Sequence, residues 1–138
     1  MIHQQPIGVA DWTAGIDGFD GILGLGPVDR TMSTVSNALE VPIVMDNLYI
    51  RRTISQEVLG VFFGPTSESK ENGELMFGGY DSSVTTSSVN YVPLTTRCPA
   101  SEFWGIDQSI SYGGTTILSS TAGIVDTGTT LILIATGK

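Results

Sequence analysis

Polar and apolar residues alternate most clearly over 103–112. Trp104, Ile106, Ile110 and Tyr112 fall in one phase, and Gly105, Asp107, Ser109 and Ser111 in the other. A period of two predicts a half-buried strand; Phe103 breaks the phase. Gly113-Gly114 predicts a turn, and Thr115–Leu118 the returning strand of a hairpin. Shorter apolar runs predict strands at Pro6–Asp11, Val58–Phe63, Glu74–Phe77 and Val89–Leu94. Pro65 stops the second of these, since proline has no N–H for a ladder. Asn72-Gly73 is a hairpin-turn signal, because both residue types accept positive φ. Residues 42–51 are the clearest helical stretch. Pro42 suits a first helical position, Ile43, Val44, Leu48 and either Ile50 or the Arg51 stem can cover one face, and Arg51-Arg52 forms a solvated end favoured by the helix dipole. Ser55 is placed to cap a further turn. Seven of the eight residues 81–88 are Ser, Thr or Asp, which predicts a loop and the boundary between two substructures.

Composition agrees with a fold of short strands and turns. There are 17 Gly and 30 Ser plus Thr among 138 residues, 41% of the chain is hydrophobic, and only 14% is charged. The net charge is -8, so a nucleic-acid partner is not expected: phosphate binding needs a basic surface. No apolar run reaches the roughly 18 residues that span a bilayer, so no membrane partner is expected. Met1–Ala10 does not read as a signal peptide. Cys98 and His3 are the only residues of their types. That excludes an internal disulfide framework and a Cys-rich zinc site, and leaves a histidine triad only the residue nearest the terminus. Cys98 is read as a free thiol, and no metal or cofactor is expected. Three glycines within 21–26 permit close backbone approach, but Pro27 follows where a phosphate loop needs a helix.

Chemistry concentrates at 124–131, Ile-Val-Asp-Thr-Gly-Thr-Thr-Leu. Asp126 sits between apolar residues where the chain must turn, and a carboxylate there needs hydrogen bonds against desolvation. Thr127, Thr129 and the N–H groups around Gly128 can supply them. A rigidly held carboxylate suits general acid–base work on water. An Asx turn with Asp126 bonding its own backbone is the plainer alternative.

These residues resemble the second catalytic loop of the pepsin-like aspartic endopeptidases. Residues 19–26, Phe-Asp-Gly-Ile-Leu-Gly-Leu-Gly, are similar to that family's first-lobe apolar-apolar-Gly segment. Residues 73–83, Gly-Glu-Leu-Met-Phe-Gly-Gly-Tyr-Asp-Ser-Ser, resemble the approach to the interlobe connection. Asn90–Leu94 and Phe103–Ile106 resemble the entry to the second lobe. The resemblance runs over almost the whole chain and is nearest to the fungal, polyporopepsin-like branch. It implies a mostly β, pepsin-like aspartic protease fold, here incomplete, with one or two short helices. Residues 1–88 would be the C-terminal part of the first lobe and 89–138 the N-terminal part of the second.

The family cleaves peptides with two aspartates, one per lobe, that share a proton and activate water. The resemblance makes Asp126 the second-lobe catalytic acid and Thr127, Gly128 and Thr129 its loop support. Thr130, Ile22 and Phe19 would face the substrate; for Ile22 and Phe19, core packing is an equal alternative. Asp20 is assigned a structural turn. It also implies a peptide or protein substrate and secretion. Only one Asp-Thr-Gly occurs here, so the chain is expected to be an internal stretch of a protease, inactive alone and needing the absent lobe segments. A retroviral-type dimer is disfavoured, because Ile22-Leu23-Gly24 precedes Asp126 instead of following it. A non-catalytic pepsin-like binding or inhibitor protein is the competing reading.

Overall fold

A computed structural model describes residues 2–15, 18–67 and 72–135. The chain divides into two units, Met1–Val89 and Asn90–Lys138.

In the first unit a 3-10 turn at Val28–Thr31 precedes helix α1, Val44–Ile50. Thr31 ties them together: its Oγ1 donates to the Val28 carbonyl at 2.8 Å and accepts from the Val41 N–H at 2.8 Å. The helix starts two residues later than the sequence suggests. Ile43 is the N-cap, and its N–H donates to the Asp46 carboxylate at 2.8 Å, which also places a negative charge in the first turn. Pro42 therefore lies outside the helix. At the other end the Thr53 N–H donates to the Leu48 carbonyl at 2.9 Å and the Arg52 N–H to the Tyr49 carbonyl at 2.8 Å. This is a Schellman closure, with Arg52 at φ 56° where glycine is usual. It ends the helix before Ser55, which caps nothing. Met45 and Asn47 are buried, whereas Ile50, one of the two candidates for the inner face, is exposed.

Strands β1, Leu59–Phe62, and β2, Glu74–Phe77, pair antiparallel from Leu59↔Phe77 to Phe62↔Glu74. The connection spans 63–73, so Asn72-Gly73 is not a two-residue hairpin turn. Asn72 instead donates from Nδ2 to the Pro65 carbonyl at 2.9 Å; residues 68–71 of the connection lie outside the described residues. Gly60 is needed for close approach, since a Cβ there would come within 2.8 Å of the Gly79 carbonyl oxygen and Tyr80 Cα. Asp81 opens the 3-10 turn Ser82–Val84 by accepting from the Ser83 N–H at 2.7 Å and its hydroxyl at 2.8 Å.

The second unit is built on β3, Gly105–Tyr112, and β4, Thr115–Ile124, paired antiparallel from Gly105↔Ile124 to Tyr112↔Thr115. Gly113 and Gly114 turn between them with φ 56° and 80°, the two positive values a tight hairpin needs. The predicted alternation holds from Ile106 to Ile110, whereas Trp104 and Tyr112, expected on the inner face, are exposed and Gly105 is buried; β4 runs six residues past the predicted Leu118.

Two predicted strands, 6–11 and 89–94, are not formed among the described residues, and the apolar run 131–134 is not a strand either. Their side chains are largely exposed, Ile7, Val9, Tyr91 and Leu133 among them. A strand exists only against a partner edge, and none is paired with these segments.

Among the described residues the buried apolar side chains are Met45 and Ala100, and the buried polar ones Asn47 and Thr95. The accessible surface is 11550 Å². A folded 14.6 kDa monomer exposes about 6,900 Å², and two separate folded units of these sizes about 8,300 Å². No described helix is long and apolar enough to cross a membrane.

Candidate active site

The loop that follows β4 is held at its base by the hairpin. Ile124 pairs with Gly105, and the Val125 N–H donates to the Trp104 carbonyl at 2.9 Å. The next residue is Asp126. Its Oδ1 accepts from the Gly128 N–H at 2.9 Å, and its Oδ2 accepts from the Thr129 hydroxyl at 2.6 Å. Each carboxylate oxygen thus has one donor from within its own loop. The Oδ1 bond is the Asx turn considered from sequence; the Thr129 bond is additional, and short as charge-assisted bonds to carboxylates are. Gly128 permits the fold of the loop on itself: a Cβ there would sit 3.3 Å from Asp126 Oδ1.

The Thr129 hydroxyl, then the Gly128 N–H, holds the Asp126 pKa below its ordinary value, with burial opposing weakly. Burial is weak because the apolar residues expected to enclose the acid do not. Ile124, Val125 and Leu131 are all exposed. The carboxylate is therefore ionised through mildly acidic pH, with a fixed direction and open water access. Such a group can take a proton from water, but it needs a second, protonated acid to protonate the carbonyl oxygen that the water attacks.

Thr127 and Thr130 lie on the exposed surface of the same loop. Phe19 and Ile22 belong to the first unit and are 76% and 77% exposed, so neither of the roles weighed for them, pocket wall or core, is built around them here. Asp20 lies at a bend. Cys98 is exposed, its Sγ 3.7 Å from Glu102 Oε1.

Sequence reasoning passed over the residues that hold the start of β3. Thr95, 6% exposed, donates from its N–H to the Gly105 carbonyl at 2.9 Å and from its hydroxyl to Asp107 Oδ1 at 3.0 Å. The same hydroxyl accepts from the Arg97 N–H at 3.2 Å. Gly105 is buried between Thr95 and Ala100; a Cβ would collide with the Ala100 carbonyl and approach Thr95 Cγ2 to 2.9 Å. The available signal was a glycine inside an otherwise regular strand pattern, which marks a close approach.

Comparison with known proteins places these features in a wider set. Residues 1–138 match the family described as "Eukaryotic aspartyl protease". Polyporopepsin of Irpex lacteus is 57% identical over 97% of this chain and 41% of its own length. Rhizopuspepsin-1 of Rhizopus niveus is 40% identical over 97% of this chain and 33% of its own. The crystal structure of the aspartic proteinase from Irpex lacteus superposes with a TM-score of 0.89 at 56% identity, covering 95% of this chain and 40% of that one. The mostly β architecture with one helix matches part of the pepsin-like fold. The chain spans less than half the length of these relatives.

Proposed function

Because the chain belongs to the eukaryotic aspartyl protease family, we propose that it supplies the second catalytic carboxylate, Asp126, of an aspartic endopeptidase. The observation that carries this reading is the pair of donors on Asp126, one on each carboxylate oxygen. They fix the group's direction and lower its pKa, which favours the ionised state that accepts a proton from water.

Water between Asp126 and a protonated partner acid would lose its proton to Asp126 as its oxygen bonds to the peptide carbonyl carbon. The partner acid gives its proton to the carbonyl oxygen as the C=O π bond opens, leaving a gem-diol. The C–N bond then breaks as the nitrogen takes the proton that Asp126 removed from water, while a gem-diol hydroxyl returns its proton to the partner carboxylate and C=O re-forms. The partner acid would come from residues outside these 138, in the segment corresponding to the rest of the first lobe. Residues 1–88 would complete that lobe and 89–138 open the second. Thr127, Gly128 and Thr129 support the loop, while Thr130, Ile22 and Phe19 face a peptide or protein substrate once the missing segments enclose them. By family likeness the enzyme is a secreted, fungal-type peptidase.

The test is a chimera in which these 138 residues replace the corresponding stretch of the Irpex lacteus aspartic proteinase. It is expected to hydrolyse peptides in acid, and Asp126→Asn to abolish turnover without changing the circular dichroism. A chimera that folds but stays inactive with Asp126 present overturns the reading in favour of a non-catalytic binding or inhibitor protein.

A further inference from the structure

We infer that Thr95 is a positioning residue for the Asp126 loop, acting through the first residues of β3; the inference rests on the reading of Asp126 as the catalytic carboxylate. Thr95 is the rare case here of a polar side chain at only 6% exposure. Its bonds go to both sides of Gly105: the backbone N–H to the Gly105 carbonyl and the hydroxyl to Asp107 Oδ1, two residues along the strand. The Arg97 N–H completes the hydroxyl's bonding, and the Arg97 Nε lies 3.8 Å from the same Asp107 oxygen. The start of β3 is thereby fixed from the side opposite β4.

That fixed end is also the base of the loop. Gly105 is the register partner of Ile124, and the Trp104 carbonyl accepts from the Val125 N–H, one residue before Asp126. Residues 126–129 bond only among themselves in the contacts described above, so the loop's direction depends on where Val125 leaves the hairpin. Ala100 closes the arrangement by packing against Gly105 so tightly that no side chain fits there. A shift of the 95–97 segment therefore moves Trp104 and Gly105, and with them the departure point of the loop.

Thr95→Val keeps the shape of the side chain but removes the hydroxyl, leaving Asp107 and the Arg97 N–H without it. In the full 138-residue chain, hydrogen exchange at the Val125 amide is expected to accelerate by about five-fold relative to the Ile110–Leu118 end of the hairpin, the factor one net hydrogen bond supplies. The Asp126 carboxyl-carbon titration is expected to stay in place, because its donors, Gly128 and Thr129, lie within the loop and move with it. Thr95→Ser is expected to restore the exchange rate at Val125. A general loss of stability would speed exchange at both ends of the hairpin alike. If Val125 exchange keeps its original value in Thr95→Val, accelerates only together with the Ile110–Leu118 end, or is not restored by serine, the inference is overturned. The readout does not depend on turnover, so this failure is separate from that of the chimera.

Discussion

In urea the 138-residue chain is expected to unfold with a gradient about two thirds of that of one compact domain of equal mass, and about three quarters of that of two separate compact units. The slope of stability against denaturant follows the surface newly exposed on unfolding. An unfolded chain of 14.6 kDa exposes about 21,000 Å². With 11550 Å² already open in the folded state, unfolding exposes only about 9,600 Å² more. A single compact domain would expose about 14,300 Å², and two separate compact units about 12,900 Å². The deficit has identifiable causes: Phe19, Ile22, Tyr91, Leu131 and Leu133 are all exposed, and no described side chain falls below 2% exposure. Tryptophan fluorescence and far-ultraviolet circular dichroism, followed at several protein concentrations, measure the gradient. A full-sized, concentration-independent gradient would refute the reasoning, since the chain would then close its apolar surface by itself. A gradient that grows with concentration would refute it differently, by showing that copies of the chain cover each other. The same open surface bears on why the chain is expected to be inactive alone: the residues proposed to face substrate lack walls that would enclose a peptide.

Two further outcomes follow from local geometry. Thr129→Val is expected to raise the Asp126 pKa toward the ordinary carboxylate value, read by carboxyl-carbon NMR, because the hydroxyl is the larger of the two lowering causes. Both Asp126 and Asp81 have depressed values, so the order their donors confer is present above the unfolded-state pKa and is lost as pH falls through the folded-state one. An Asp126 midpoint unmoved by the substitution would assign the depression to Gly128 alone. Arg52→Gly is expected to stabilise the chain by about 0.5–1 kcal/mol, seen as a higher denaturation midpoint, because Arg52 occupies the left-handed closing position of α1 at φ 56°. A lower midpoint would show that the arginine side chain contributes more than its backbone costs.

Elements that depend on neighbours in sequence were legible without a structure. The β3–β4 hairpin follows from a period of two and two adjacent glycines, β2 was predicted with its observed bounds, and α1 differs from the prediction by a few residues at its ends. The Asp126 loop was legible for the same reason: its donors, Gly128 and Thr129, are two and three positions away. The elements that failed depend on distant partners. Residues 6–11, 89–94 and 131–134 have the apolar character of strands, yet a strand's N–H and C=O groups need another edge, and none among the described residues pairs with them. The expected burial of Asp126 failed likewise, because hydrophobic flanks become walls only when something packs on them. The clamp on β3 was illegible because Thr95, Ala100 and Gly105 meet only when the chain folds back. Chemistry confined to one turn is thus written locally, whereas enclosure and anchoring are decided by which segments come together in space.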